Sequence, residues 1–109
     1  MIQNYEACIE ACAACVTACR KCAAACLTEP NTEMLAKCIQ LDLACAAICD
    51  AAVENMLQVT AQATQVCQVC ADVCTACAEE CEKHEHDHCR YCAEQCRKCA
   101  TVCREMAAA

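Results

Sequence analysis

Several residue types that organise most folds are scarce or missing from this sequence. The 109-residue chain has no Gly, no Phe and no Trp, and only one Pro and two Tyr. Little material is left for hairpin turns, which argues against a β architecture. Leu, Ile, Val and Met are too few to replace the missing aromatic core residues. We expect one domain over residues 1–109, with a core filled by something other than apolar bulk.

Long apolar runs and an excess of basic residues are also lacking. The apolar stretches are short and interrupted by charge, so we expect no membrane-spanning helix. The formal net charge of −7 disfavours nucleic acid and anionic lipid as partners and is compatible with attracting cations. The N-terminal sequence MIQNYEACIEAC has neither the basic nor the apolar region of a secretory signal peptide. We therefore expect a cytoplasmic protein.

Cysteine, by contrast, is abundant. The chain has nineteen cysteines in 109 residues. This fraction is far above the roughly 8–10% of cysteine that already marks a disulfide-rich scaffold. A disulfide framework is disfavoured because the number is odd and no signal peptide is expected. Helix axes in a bundle also lie about 8–10 Å apart, so few pairs would meet disulfide geometry. In a reducing compartment such a pattern indicates metal binding.

The cysteines recur in alternating steps of three and four residues. This spacing is typical of inward-facing positions on helices packed in a bundle, and the Ala, Glu, Gln and Lys between them favour helix. We predict that all nineteen thiols line one core and bind metal: Cys8, Cys12, Cys15, Cys19, Cys22, Cys26, Cys38, Cys45, Cys49, Cys67, Cys70, Cys74, Cys77, Cys81, Cys89, Cys92, Cys96, Cys99 and Cys103.

The pattern predicts an all-α fold, an antiparallel up-down-up-down four-helix bundle with a cysteine-lined core. It also looks like a tandem repeat of one helical pair. The single Pro30 marks the clearest turn, with Asn31 or Thr32 as the cap of the next helix. The next connection has no breaker, and we place it near residues 58–60. The helices are expected at 2–27, at 32–57, up to about 83, and at 87–106.

The second helix leaves one choice open. Its inward stripe can be written so that a carboxylate, Asp42, replaces a thiol. Alternatively the stripe passes through Leu41, and Asp42 lies at its solvated border. Heptad edges are not resolved by sequence, so both interpretations stand. The first gives the series Met34, Cys38, Asp42, Cys45, Cys49, Ala52 and Met56.

The two ends of such a bundle differ in chemistry. The Pro30 turn and the His-rich turn of residues 82–88 lie at one end, together with Met34. The opposite end is expected to hold an apolar plug made of Met1, Tyr5, Met56 and Met106.

Continuing the third cysteine series by the same steps leads to His84 and His88. We predict that these two imidazoles extend the thiol stripe where the bundle opens to water. Imidazole binds soft ions more weakly than thiolate does, as an entry site requires. The alternative is a solvated loop, and the role of His86 stays open.

The arrangement of the thiols indicates which metal is bound. A few buried cysteines would act as small hydrophobes, but a core made of them packs less volume and adds oxidation risk. Zinc and iron–sulfur sites are usually built on loops, whereas a helix presents thiols in a line. That suits low coordination numbers and bridging sulfur, hence Cu(I), the soft ion that thiolates select. An i, i+4 pair such as Cys45 and Cys49 could hold one ion. The metal-free core should contain neutral thiols that release protons on loading.

Over essentially its whole length the sequence is similar to the copper storage proteins, in particular to their cytosolic branch without a secretion signal. The likeness rests on paired six- and five-cysteine helices, on CIQLDLACAAIC from Cys38 to Cys49, on the Cys67–Cys81 series, and on HEHDHC from His84 to Cys89. The resemblance implies a four-helix bundle that stores many Cu(I) ions, forms a homotetramer and admits metal at a His-bearing mouth. It also implies that Asp42 and His88 assist at sites near that mouth.

Two other classes of function compete with copper storage. A metallothionein-like sink for Zn(II) or Cd(II) is the alternative within metal binding. An iron–sulfur electron carrier or a thiol redox enzyme is the alternative from another class. A redox enzyme would need one exposed CxxC of low pKa near a helix N-terminus, and no pair stands out here. We therefore expect a storage protein and not an enzyme, with a copper chaperone as a possible donor.

Overall fold

The computed structural model describes residues 5–108, and within that range the chain forms four α-helices. They are α1 (Glu6–Cys26), α2 (Ala36–Leu57), α3 (Ala63–Cys81) and α4 (Asp87–Ala108), and a short 3-10 helix, Thr32–Leu35, precedes α2. Short connections reverse the chain direction between them, and each helix packs against the two next to it around the bundle. The predicted antiparallel four-helix bundle is confirmed.

The core consists mainly of cysteine side chains, with buried alanines beside them where the helices pack against one another. All nineteen cysteines are fully buried. Small side chains lie beside them and allow the helices to approach closely, among them Ala46, Ala71, Ala78 and Ala100. Leu35 and Met56 are the large apolar side chains that are fully buried among the described residues.

The start of α2 departs from the predicted stripe. Met34 was expected to face inward four residues before Cys38, but it is 75% exposed, and Leu35 is fully buried in its place. The reason is the 3-10 helix, which has about three residues per turn and so shifts the inward position by one residue. The expected cap, Asn31 or Thr32, is also wrong. Asn31 makes no side-chain capping hydrogen bond to the 3-10 helix, and the residue at the N-cap of α2 is Leu35.

The connection between α2 and α3 occupies residues 58–62, close to its predicted place. It closes as a Schellman motif, in which the Val59 N–H donates to the Met56 carbonyl at 3.2 Å and the Thr60 N–H to the Asn55 carbonyl at 3.1 Å. Val59 has φ 51°, the left-handed conformation that Gly normally supplies at this position. A chain without Gly therefore makes this turn with a β-branched residue.

The end of the bundle that contains this turn is covered by apolar side chains, as predicted. Tyr5 and Met56 are buried there, and Met106 is half-buried against the core. Met1 and Ile2, which were expected in the plug and in the first helix, lie outside the described residues; α1 begins at Glu6. We call this the closed end and the opposite end the mouth. Between residues 5 and 108, no helix has the length and apolarity needed to cross a bilayer.

Candidate metal centre

The thiols form a continuous column along the axis of the bundle. Neighbouring sulfur atoms on different helices lie close together, with Sγ–Sγ distances of 3.4 Å for Cys38 and Cys81 and 3.5 Å for Cys45 and Cys74. Along a single helix, sulfurs one turn apart lie 3.9 Å apart in Cys70 and Cys74. Helical periodicity aims every thiol at the axis, and the packing of the helices brings the four rows together.

Groups of four sulfurs recur along this column. Within each group all the sulfurs lie within 4.8 Å of one another. Two of the groups draw one cysteine from each of the four helices, and Cys49 and Cys99 belong to both. These two groups are Cys12, Cys49, Cys70 and Cys99, and Cys15, Cys49, Cys74 and Cys99.

This geometry suits soft ions that share sulfur ligands. A metal–thiolate bond is about 2.3 Å long, so two sulfurs up to about 4.6 Å apart can hold one ion between them. The sulfur pairs above meet that limit, and a thiol that belongs to two groups can bridge two ions. Soft thiolates select Cu(I), and a closed-shell ion tolerates two or three ligands. The column can therefore take up many ions in a row without rebuilding the helices.

Asp42 lies inside the column, which decides between the two interpretations of the α2 stripe. Its side chain is fully buried, and Leu41 is half-buried beside it. The thiols of Cys92 and Cys77 lie 3.2 and 3.3 Å from Oδ1, and Cys81 lies 3.5 Å from the same oxygen. A carboxylate oxygen therefore stands among the sulfurs just inside the mouth.

Burial favours the neutral form of several groups in the metal-free column. Burial raises the pKa of Asp42 to about 10. Burial also raises the pKa of Cys26 to about 11 and shifts the pKa of Cys89 in the same direction. Unpaired charges in so dry an interior would be costly. Uptake of cations must therefore release protons.

His88 is the imidazole that reaches the thiols. Its Nδ1 lies 3.5 Å from the Sγ atoms of Cys22 and Cys89 and 4.0 Å from that of Cys26. The first turn of α4 and the last turn of α1 bring these groups together at the mouth. An imidazole nitrogen therefore adjoins the outermost thiols.

His84 lies elsewhere. Helix α3 ends at Cys81, so the three- and four-residue steps do not continue to residue 84. The Nε2 atom of His84 lies 2.9 Å from Glu80 Oε2, and the side chain lines a surface pocket of about 530 Å³ with Arg90 and Arg97. The prediction that His84 extends the thiol stripe is therefore wrong. Residues beyond the end of α3 no longer follow the helical repeat on which the prediction was based.

Glu29 is a residue at the mouth that the sequence reasoning missed. Its Oε2 lies 3.0 Å from His88 Nε2 and 2.8 Å from His86 Nδ1. The signal was available: an acidic residue directly before Pro30, in the turn expected at the same end as the histidines.

Several proteins of known structure have the same fold and a similar sequence, and they are copper storage proteins. The Cu(I)-bound copper storage protein BsCsp3 of Bacillus subtilis is 48% identical with a TM-score of 0.91, over 94% of this chain and 97% of that one. A cytosolic copper storage protein from Streptomyces lividans, in a structure with five coppers, is 44% identical with a TM-score of 0.92, over 95% and 92% of the two chains.

Further structures and one sequence relative complete the comparison. The copper storage protein of Streptomyces lividans is also known loaded with 10 copper equivalents and as variants with one or two histidines, four residues apart, replaced by alanine. The uncharacterized cysteine-rich protein YhjQ of Bacillus subtilis (strain 168) is 49% identical over 71 residues, 65% of this chain and 66% of that protein. The copper storage protein (Csp) family matches residues 1–108. The chain belongs to the copper storage protein family.

Proposed function

We propose that residues 1–109 act as one domain that stores and buffers many Cu(I) ions, with the nineteen cysteine thiolates as ligands and Asp42 and His88 assisting near the mouth. The observation that carries this is the series of four-sulfur groups that share members along the axis. Because bridging sulfur lets each thiolate serve two ions, capacity approaches roughly one ion per thiolate. The copper-loaded structures of relatives from two organisms support the same choice of metal.

Copper is proposed to enter at the mouth. His88 stands between solvent and the outermost thiols, and imidazole holds Cu(I) less tightly than thiolate does. An ion bound there would therefore move inward to stronger ligands. His84 would at most contact an incoming ion at the outer surface of the mouth, because its ring contacts Glu80 and not the thiols.

The cellular setting is proposed from relatives and from the resemblance. A cytoplasmic location is supported by the Streptomyces lividans protein, which is a cytosolic copper storage protein. The homotetramer and a copper chaperone as donor rest on the family resemblance alone. A storage role without catalysis is supported by the family and by the uniform burial of the thiols.

An anaerobic titration with Cu(I) against a competing chelator tests the storage function. We expect retention of roughly one ion per thiolate and a colourless complex, and a parallel titration should show weaker retention of Zn(II). Tighter binding of Zn(II) or Cd(II) would favour a metallothionein-like sink instead. A brown protein containing iron would favour an iron–sulfur carrier.

Removing a pair of thiols tests the ligand assignment. Cys45→Ala together with Cys49→Ala should lower the Cu(I) capacity by about two ions and leave the fold intact. Far-UV circular dichroism of the reduced, metal-free protein supplies the control and should show high helix content before any metal is added. Unchanged capacity in the double variant would mean that these two thiols only pack.

A further inference from the structure

One carboxylate oxygen at the mouth contacts two histidines. Glu29, in the connection between α1 and α2, places Oε2 3.0 Å from Nε2 of His88 and 2.8 Å from Nδ1 of His86. The two rings stack with their centroids 5.2 Å apart and their planes 5° from parallel. Glu29 therefore ties the connection after α1 to the segment before α4, across the opening of the column.

This contact determines which nitrogen of His88 carries the proton. A carboxylate only accepts hydrogen bonds, and a neutral imidazole has one N–H. With Nε2 against Glu29, that nitrogen is the donor, and Nδ1 keeps its lone pair. Nδ1 lies 3.5 Å from Sγ of both Cys22 and Cys89. The lone pair is thus aimed at the outermost thiols, where an incoming ion would be handed on.

The same contact limits rotation of the ring. His88 is held by the carboxylate on its outer edge and by the stacked His86 on one face. Glu29 and His88 each have 24% of their side-chain surface exposed, whereas the thiols beneath them are fully buried. These groups are therefore the last ones that solvent reaches before the sulfur column.

We propose that Glu29 is a positioning residue for copper entry, which orients His88 and fixes its Nε2–H tautomer so that Nδ1 faces the thiols. The proposal rests on the storage function and on entry at the mouth. A carboxylate that hydrogen-bonds the second nitrogen of a ligating histidine typically contributes about 10–100-fold to metal affinity or activity. We expect an effect at the lower end, because the thiolates hold the stored ions and His88 acts in their delivery.

The first experiment needs no copper. In the reduced, metal-free protein, nitrogen-15 NMR of the imidazoles should show the Nε2–H tautomer of His88 and a side-chain proton protected from exchange with water. Glu29→Ala should abolish that protection, and Glu29→Gln should largely keep it because its amide oxygen still accepts. Glu33→Ala is the matched control, since Glu33 is an exposed acidic residue a few positions along. Equal protection in wild type and Glu29→Ala would overturn the proposal.

The second experiment measures delivery by stopped-flow transfer from a Cu(I) chelator. Glu29→Ala should load about tenfold more slowly than wild type with its capacity retained, Glu29→Gln should lie nearer wild type, and Glu33→Ala should match wild type. In a His88→Ala background, Glu29→Ala should cause no further loss, because its effect passes through His88.

The outcomes separate the role of Glu29 from the storage function. Equal slowing by Glu29→Ala with and without His88 would mean that the carboxylate only attracts cations, and this would overturn the positioning role. Normal loading of Glu29→Ala beside normal wild type would overturn it as well, while leaving storage intact. A wild type that retains no Cu(I) would refute the storage function itself and be visible without any variant.

Discussion

Both ends of the bundle contain cysteine thiols, but different side chains separate these thiols from solvent at the mouth and at the closed end. At the closed end the Sγ atoms of Cys8 and Cys103 lie 3.5 Å apart beneath Tyr5 and Met56. At the mouth, Cys22 and Cys89 lie as close to the imidazole of His88 as to any sulfur. The difference therefore lies in what separates the thiols from water. Among residues 5–108, buried apolar side chains cover the closed end, whereas an imidazole and a carboxylate adjoin the outermost thiols at the mouth.

This comparison gives the column a direction. The apolar side chains at the closed end cannot ligate a cation. At the mouth, the partly exposed Glu29 and His88 are followed inward by the fully buried Asp42, which lies among the thiols. If copper enters at the mouth as proposed, identical thiols along the axis would be filled from one side. The predictions that follow alter one end at a time.

The largest effect is expected from Asp42→Asn in the metal-free protein. Unfolded Asp loses its proton above a pKa of about 3.9, while burial raises the pKa of folded Asp42 to about 10. Between these values the unfolded state binds fewer protons, so stability falls as pH rises. The variant should remove this slope and raise the free energy of unfolding at pH 7 by up to about 4 kcal/mol.

Urea unfolding of reduced protein at pH 5, 6, 7 and 8 measures this. Asp50→Asn is the matched control, because Asp50 lies on the same helix and is about half exposed beside Arg20. It should change stability little at any pH. A slope that persists in Asp42→Asn would show that Asp42 is not the group responsible.

The next effect compares thiols at the two ends directly. A mouth variant with Cys22, Cys26 and Cys89 changed to Ala and a closed-end variant with Cys8, Cys67 and Cys103 changed to Ala should each lose about three ions of capacity. Only the mouth variant should also load its first ions about tenfold more slowly, because it lacks the ligands that receive them. Equal initial rates would mean that copper enters at both ends or along the sides.

How far the sequence predicts this site depends on where helical geometry holds. The step of three and four residues places all nineteen thiols correctly, because an uninterrupted helix repeats itself. It misplaces Met34 and His84, since a 3-10 turn and a helix end break the repeat. Asp42 and Leu41 are indistinguishable by spacing, and only packing against α3 and α4 puts the carboxylate inside. The contact of Glu29 with His88 joins residues far apart in sequence, which no local pattern encodes.

A smaller effect should separate the two histidines. His88→Ala should slow Cu(I) loading several-fold and keep most of the capacity, because it removes the nitrogen beside the outer thiols. His84→Ala should load nearly as fast as wild type, since its ring contacts Glu80. Stopped-flow transfer from a chelator compares them. Faster loading by the His88 variant than by the His84 variant would place the entry point at the surface pocket instead.

The smallest effect is expected at the turn of the closed end. Val59→Gly should stabilise the protein by roughly 0.5–1 kcal/mol, because Gly adopts the left-handed conformation without the penalty that a side chain incurs. Thermal unfolding of metal-free protein measures this. Val59→Ala keeps a Cβ atom and should show no such gain; an equal gain would point to the exposed Val side chain and not to the backbone.

The groups that take one sulfur from each helix have a consequence for the lifetime of the protein. Ions that share bridging thiolates within the group Cys12, Cys49, Cys70 and Cys99 would together join all four helices at one level, so no helix could detach while they stay. Proteases cut chains that open locally, and each such ion makes opening rarer. The amount of cargo would then set how long a molecule survives, with empty copies degraded first and full ones preserved.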